Sequence, residues 1–225
     1  MPVYQLSEEP VFPPAELADK DGLLAVGGDL SPQRLLNAYA SGIFPWYSSG
    51  QPILWWSPDP RMVLFPDNFR RHKNLRRLID KKKFSHTFDN EFEQVIDYCS
   101  AVKRENQKGT WITEEMKEAY INLHNAGYAH SVETYYDGRL CGGLYGVSIG
   151  SMFFGESMFH LKTDASKVAL WHLVEFCLNN GIKVIDVQQN TSHLKSMGAE
   201  LISRKNFLTL LKQNLVTASL TGDWQ

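Results

Sequence analysis

Cysteine is scarce in this chain: Cys99, Cys141 and Cys177 are widely spaced and odd in number among 225 residues. No Cys-x-x-Cys pair exists, which removes the usual zinc and dithiol sites, and no disulfide framework is expected. All three are read as small buried hydrophobes. Long apolar runs are also missing. None approaches the ~18 residues of a membrane span, and Met1-Pro2-Val3-Tyr4-Gln5 has neither the basic start nor the apolar core of a secretory signal. A cytoplasmic protein without membrane attachment is expected. There is no P-loop, no G-x-S-x-G elbow and no H-E-x-x-H, and the seven histidines show no metal-ligand spacing. A reaction that needs no metal and no nucleotide cofactor suits this inventory.

What is present is a chain 43% hydrophobic and 12% aromatic, enough for a sizeable core. Its net charge of -2 conceals an asymmetry. Between positions 70 and 83 lie Arg70, Arg71, Lys73, Arg76, Arg77, Lys81, Lys82 and Lys83 against the single acid Asp80, leaving -9 for the remainder. So concentrated a patch reads as a phosphate-contacting surface rather than a solvated helix face.

The first sixty or so residues are rich in Pro, Gly and Trp, and are read as a small N-terminal domain of irregular structure, 1–61. One helix is expected there, capped by Ser31 with Pro32 at its first position and stopped by Gly42. From 62 to 225 the pattern becomes regular. Asp89 and Thr113 are placed to cap helices, and Asp137-Gly138 marks a hairpin between strands 129–136 and 139–147. A third strand, 151–159, leads to a helix over about 164–179 with Leu170, Leu173, Val174, Cys177 and Leu178 as its buried stripe. After Gly181 comes a strand over 182–187, then a short helix, a strand at 199–202 and a last helix. The fold class is α+β with a mixed sheet.

Strict alternation places Met152, Phe154, Glu156 and Met158 on one face of their strand. A carboxylate among such neighbours needs a partner. It is either paired with an internal Lys or Arg, or it serves substrate or catalysis, and the pattern does not separate these. Asp186 and Gln188 share a face in the same way, at the end of a strand, where ligands often bind in α/β sheets; capping of the following turn is the other reading. Trp46, Trp55, Trp56 and Trp111 sit in Gly- and Pro-punctuated settings. Core is the ordinary role of tryptophan. Beside a basic patch, such rings also suit the stacking of an unpaired base, at about 1–3 kcal/mol each.

Several segments together resemble the leucyl/phenylalanyl-tRNA–protein transferase family. In the N-terminal part these are Gly22-Leu23-Leu24-Ala25-Val26-Gly27-Gly28-Asp29-Leu30, Gly42-Ile43-Phe44-Pro45-Trp46 and Trp55-Trp56-Ser57-Pro58-Asp59-Pro60-Arg61. Gly109-Thr110-Trp111-Ile112, His130-Ser131-Val132-Glu133, Gly142-Gly143-Leu144-Tyr145-Gly146, Gly155-Glu156-Ser157-Met158-Phe159 and Ala165-Ser166-Lys167 continue the match. Ile185-Asp186-Val187-Gln188 and His193-Leu194-Lys195-Ser196-Met197-Gly198-Ala199 close it.

The resemblance implies a small N-terminal domain followed by a GNAT-like (acetyltransferase-like) domain. It implies transfer of Leu, Phe or Met from aminoacyl-tRNA to proteins with N-terminal Lys or Arg, creating an N-degron, by a monomer. It places Trp46 and Trp111 at the 3′-terminal adenosine. Leu144, Phe153, Leu170, Leu173 and Ile185 become walls of the aminoacyl pocket, with Leu173 in place of an aromatic residue. Glu156, Asp186 and Gln188 fall at the reacting centre. There Asp186 is expected to polarise Gln188, whose carbonyl oxygen handles the attacking amine, and Glu156 to attract the cationic acceptor or fix the ribose. Val187, where the family's usual triplet has cysteine, is expected to point away. Two other functions remain in view: a non-catalytic tRNA-end-binding protein, and an acetyl-CoA-dependent acetyltransferase, whose Q/R-x-x-G-x-G/A turn is not found.

Overall fold

A computed structural model describes residues 3–101 and 111–224. Met1, Pro2 and the Gly109-Thr110 half of the Trp111 motif lie outside them. The chain begins with β1 (Tyr4–Leu6), β2 (Leu23–Gly27), α1 (Pro32–Ala40), β3 (Phe44–Pro45) and β4 (Leu54–Trp56). The Ser31 hydroxyl caps α1 as its sequence foretells, accepting from the Arg34 amide. The four strands form a sheet ordered β1-β2-β4-β3, so the N-terminal region is less irregular than expected. The strands were hard to foresee because each has only two to five residues. Buried Arg34 fastens the segment before them, donating to the carbonyls of Ser7, Glu8 and Glu9.

The larger sheet starts with β5 (Arg61–Leu64), which has no strand-like alternation because all four residues are buried. Next come α2 (Lys73–Asp80), β6 (Ser85–Phe88), α3 (Phe92–Ala101) and α4 (Glu114–Asn125). The meander β7 (Ala129–Tyr136), β8 (Arg139–Ile149) and β9 (Met152–His160) turns first at Asp137-Gly138, both with positive φ as a two-residue hairpin requires. Then α5 (Ala165–Asn180) leads to β10 (Val184–Gln188), α6 (Ser192–Ser196), β11 (Glu200–Ile202) and α7 (Arg204–Asn214). The strand order is β11-β5-β10-β9-β8-β7-β6. Its one crossover pairs β10 parallel to β9, while the other neighbours are antiparallel. This is the α+β class with a mixed sheet.

Two hydrophobic clusters cover the two faces of this sheet. One includes Tyr39 and Trp55 from the N-terminal region together with Val63, Tyr145, Phe154 and Phe207, so the core is continuous across position 61. The other packs α5 over Leu144, Phe153 and Ile185. Leu178, expected in the buried stripe of α5, is 39% exposed; Val168, Ala169 and Trp171 are buried instead. Asp89 does not cap α3. It has a positive φ, and its carboxylate meets His130 and accepts from the amides of Ser131 and Trp224. The cysteines are free and buried, as read from their spacing.

Candidate active site

The parallel strands β9 and β10 pair only as far as Phe154 and Asp186. Both strands are irregular beyond that point. Against β8, Gly155 and Ser157 oppose consecutive residues Gly146 and Tyr145, which leaves Glu156 as the extra residue of a β-bulge. Against β5, Asp186 and Gln188 oppose consecutive residues Val63 and Met62, which leaves Val187 unpaired. Gln188 adopts a φ of 61°, in the left-handed region. Bulges re-aim side chains and end pairing, and they concentrate beside functional sites. Gly146 makes the first bulge possible, since a Cβ there would lie 2.2 Å from the Phe154 carbonyl oxygen.

The bulges overturn two face assignments. Met152 and Phe154 belong to the cluster shared with the N-terminal region, yet Met158 packs against the opposite one. Strict alternation fails because Glu156 adds a residue. Val187 does not point away: it lines the cavity between the separated strands.

That cavity has a volume of about 640 Å³. Leu144, Phe153, Leu170, Leu173 and Ile185, scattered over four elements, are all brought to its wall. Its polar margin carries Glu156 at one place and His160, Lys167 and His193 at another. Lys167 is paired with Asp164 at 2.6 Å. Burial, with Lys167 and His160 acting in the same direction, lowers the pKa of His193.

Glu156 is half-buried at the seam between the N-terminal region and the large sheet. Tyr39 of α1 donates to Oε1 at 2.8 Å and Tyr120 of α4 to Oε2 at 2.9 Å. The two hydroxyls also contact each other, and Gln188 Nε2 donates to Oε1 at 2.9 Å. Burial raises the Glu156 pKa to about 7, assisted by the Asp186 charge and opposed by these donors. Burial and the Glu156 charge push both tyrosines well above the ordinary phenol range.

Asp186 is fully buried, and Arg61 is its partner. Nε donates to Oδ1 at 2.9 Å and an Nη to Oδ2 at 2.7 Å, with the guanidinium held between the rings of Phe44 and Phe207. Asp186 Oδ1 also accepts from the backbone N–H of Gln188 at 3.0 Å. This corrects the expected relay: Asp186 fixes the Gln188 main chain, and it is Glu156 that takes the amide nitrogen of the side chain. Arg61, Tyr39 and Tyr120 were not singled out from sequence. The two tyrosines were read as apolar-face positions of their helices; a tyrosine there signals a hydroxyl that needs a partner.

The tryptophans are distributed differently from the pocket walls. Trp55 is fully buried, with Nε1 donating to the Gly27 carbonyl, so it is core rather than a stacking platform. Trp111 is buried and Trp46 half-buried, and neither lines the cavity. Arg70, Arg71, Lys73, Arg76, Arg77, Lys81, Lys82 and Lys83 are all exposed on and around α2. Among the described residues none of them forms a carboxylate ion pair. A second cavity, beneath the start of α2, shares Asp164 and Lys167 with the first and includes Lys73.

The family model for leucyl/phenylalanyl-tRNA protein transferase matches residues 63–212, and that for its N-terminal domain matches 28–59. This chain belongs to the leucyl/phenylalanyl-tRNA protein transferase family. The leucyl/phenylalanyl-tRNA–protein transferase of Syntrophobacter fumaroxidans is 56% identical over all of this chain and 96% of its own length. That of Desulfatibacillum aliphaticivorans is 54% identical over all of this chain and again 96% of its own. Among solved structures, an aminoglycoside acetyltransferase from a soil metagenome is similar over 60% of this chain and 90% of its own, with 14% identity and a TM-score of 0.38. In family terms, the cavity and the Glu156 cluster occupy the seam between the segments matched by the two models.

Proposed function

We propose that this member of the family transfers leucine, phenylalanine or methionine from aminoacyl-tRNA to the N-terminal Lys or Arg of acceptor proteins, forming a peptide bond. The observation that carries the reading is the cavity. Five apolar walls suited to a leucyl or phenylalanyl side chain open directly onto a polar cluster of Glu156 and Gln188.

The aminoacyl ester arrives activated, so the site has to bind, orient and manage one proton. The acceptor α-amine, with an ordinary pKa near 8, attacks the ester carbonyl carbon. The bond to the ribose oxygen breaks, the oxygen takes up a proton, and the amine nitrogen gives one up. With its Nε2 committed to Glu156, Gln188 offers its carbonyl oxygen to the attacking amine. Asp186 acts through the Gln188 backbone, as a positioning residue. Holding two substrates in register supplies most of the rate in this reading. Leu144, Phe153, Leu170, Leu173 and Ile185 enclose the transferred side chain, and Trp46 and Trp111 receive the terminal adenosine. The exposed cations from Arg70 to Lys83 contact tRNA phosphates, a role supported by the second cavity, which joins α2 to the first.

The same reading takes residues 1–61 and 62–225 as the two domains, supported by the separate sheets, and the protein as a cytoplasmic monomer without membrane contact. Among the described residues no helix is long and apolar enough to cross a membrane. Incubation with radiolabelled Phe-tRNA and a peptide beginning with Arg tests the proposal: label enters the peptide. Binding of tRNA without label in the peptide identifies a tRNA-end-binding protein, and dependence on acetyl-CoA identifies an acetyltransferase.

A further inference from the structure

The contacts around Glu156 impose a count of protons. The Tyr39 hydroxyl, the Tyr120 hydroxyl and the carboxyl group form a closed ring, Tyr39 to Oε1, Oε2 to Tyr120, and Tyr120 to Tyr39. Each contact between two oxygens needs one proton. When the carboxyl group is ionised, the two hydroxyls supply only two protons for three contacts. If both donate to the carboxylate, the tyrosine oxygens face each other with none between them. When it is protonated, Oε2 donates to Tyr120, Tyr120 to Tyr39 and Tyr39 to Oε1, and every contact is filled. Gln188 Nε2 adds its own proton to Oε1 in either state.

The remaining neighbours leave this preference intact. Asp186 presents negative charge from β10 but is neutralised by Arg61 from β5. Tyr145 reaches the cluster from β8, its ring 5.5 Å from that of Tyr120. No cation touches Glu156 among the described residues.

We propose that Tyr39 and Tyr120 are positioning residues that hold Glu156 as a neutral carboxylic acid during transfer. The inference rests on the transfer reading for its purpose. A carboxylate close to the acceptor would stabilise its α-amine as ammonium, which has no lone pair for attack. A neutral acid anchors Gln188 without that effect. It follows that Glu156 is not the counter-ion of the acceptor's Lys or Arg side chain.

The test uses the full chain without substrate. The infrared difference between the wild type and Glu156→Gln shows a protonated-carboxyl stretch at mildly acidic and neutral pH that disappears on alkalinisation. In Tyr39→Phe or Tyr120→Phe the ring is opened and an ionised carboxylate no longer leaves an unfilled contact. The band is then lost at a pH lower by about one unit. Two variants are used so that one misfolded protein does not decide the result. Absence of the band in the folded wild type overturns the proposal, as does a shift upward in the tyrosine variants, which would make them ordinary donors to a carboxylate. In transfer assays the wild type falls on the alkaline side while the Glu156→Gln profile lacks that fall, whatever its absolute turnover. If the wild type transfers no label yet shows the band, it is the transfer reading that fails, and the protonated state stands.

Discussion

Arg61 and Asp186, 125 positions apart in sequence, are bound by two charge-assisted hydrogen bonds at 2.9 and 2.7 Å, both fully buried beneath the reacting centre. They join β5 to β10 where β10 loses its regular register. Removing one partner strands a buried charge, at about 3–5 kcal/mol. Asp186→Ala is therefore expected to lose stability in urea unfolding as well as transfer. The double variant Arg61→Met/Asp186→Leu removes both charges and recovers most of that stability, since a packed apolar pair often replaces a buried ion pair at no loss. It does not recover transfer, because the Gln188 amide has still lost its acceptor. Recovery of both would reduce Asp186 to a structural role.

Glu156 makes a separate prediction about stability and pH. Its pKa is raised from 4.5 to about 7 on folding. Between those values the folded chain holds a proton that the unfolded chain has released, so stability falls as pH rises across the window and the loss is complete above it. Below 4.5 the group contributes no pH dependence. Glu156→Gln cannot ionise. The difference between the unfolding free energies of Glu156→Gln and the wild type should therefore grow from about pH 4.5 to about pH 7 and then level off. A difference that is flat across this window would place the carboxyl in its ordinary range.

The elements of the large sheet were readable because they obey local rules. Thr113 caps α4 by accepting from the Met116 amide, Asp137-Gly138 turns the β7–β8 hairpin, and Gly181 ends α5 at a positive φ. The pocket walls, Glu156 and Gln188 were legible through the family resemblance, and the structure brings those side chains together. What was not legible is what periodicity cannot carry. One inserted residue at Glu156 and another at Val187 reverse the faces of everything beyond them. Long-range partners leave no spacing at all: Tyr39 is 117 positions from Glu156 and Arg61 is 125 from Asp186. Trp55 was misread because turn residues around a tryptophan suggest exposure, whereas short buried strands of this region are punctuated in the same way.

Gly146 tests whether the bulge matters to the reaction. An added Cβ would strike the Phe154 carbonyl oxygen and the Phe153 ring. Gly146→Ala is expected to cost about 1–3 kcal/mol through overpacking. It should lower transfer beyond what the folded fraction explains, because relief requires β9 to move at Glu156. Transfer in proportion to folded protein would show that the bulge position is not critical.

Leu173 bears on which amino acid is transferred. It is 1% exposed and forms part of the cavity wall. Leu173→Phe adds volume where the wall meets the bound side chain. A change of this size in an apolar pocket shifts discrimination by roughly tenfold or more. Competition between Phe-tRNA and Leu-tRNA is expected to move toward leucine. An equal fall for both would indicate damage to the cavity rather than a change of specificity.

The basic segment can be separated from the chemistry by shortening the substrate. Arg76 and Arg77 are exposed on α2, while the cavity begins on the far side of Asp164 and Lys167. If they contact phosphates, Arg76→Ala/Arg77→Ala weakens binding of aminoacyl-tRNA. The slope of log affinity against log salt should also fall by about 0.7 to 0.9 for each lost contact, depending on whether the strand is single or double. An aminoacyl-adenosine carries the ester, ribose and base but no phosphate chain. Transfer from it should be the same in this double variant and the wild type, since neither arginine lines the cavity. A matching loss with both substrates would place the fault in the folded site, and an unchanged salt slope would move the phosphate path off α2.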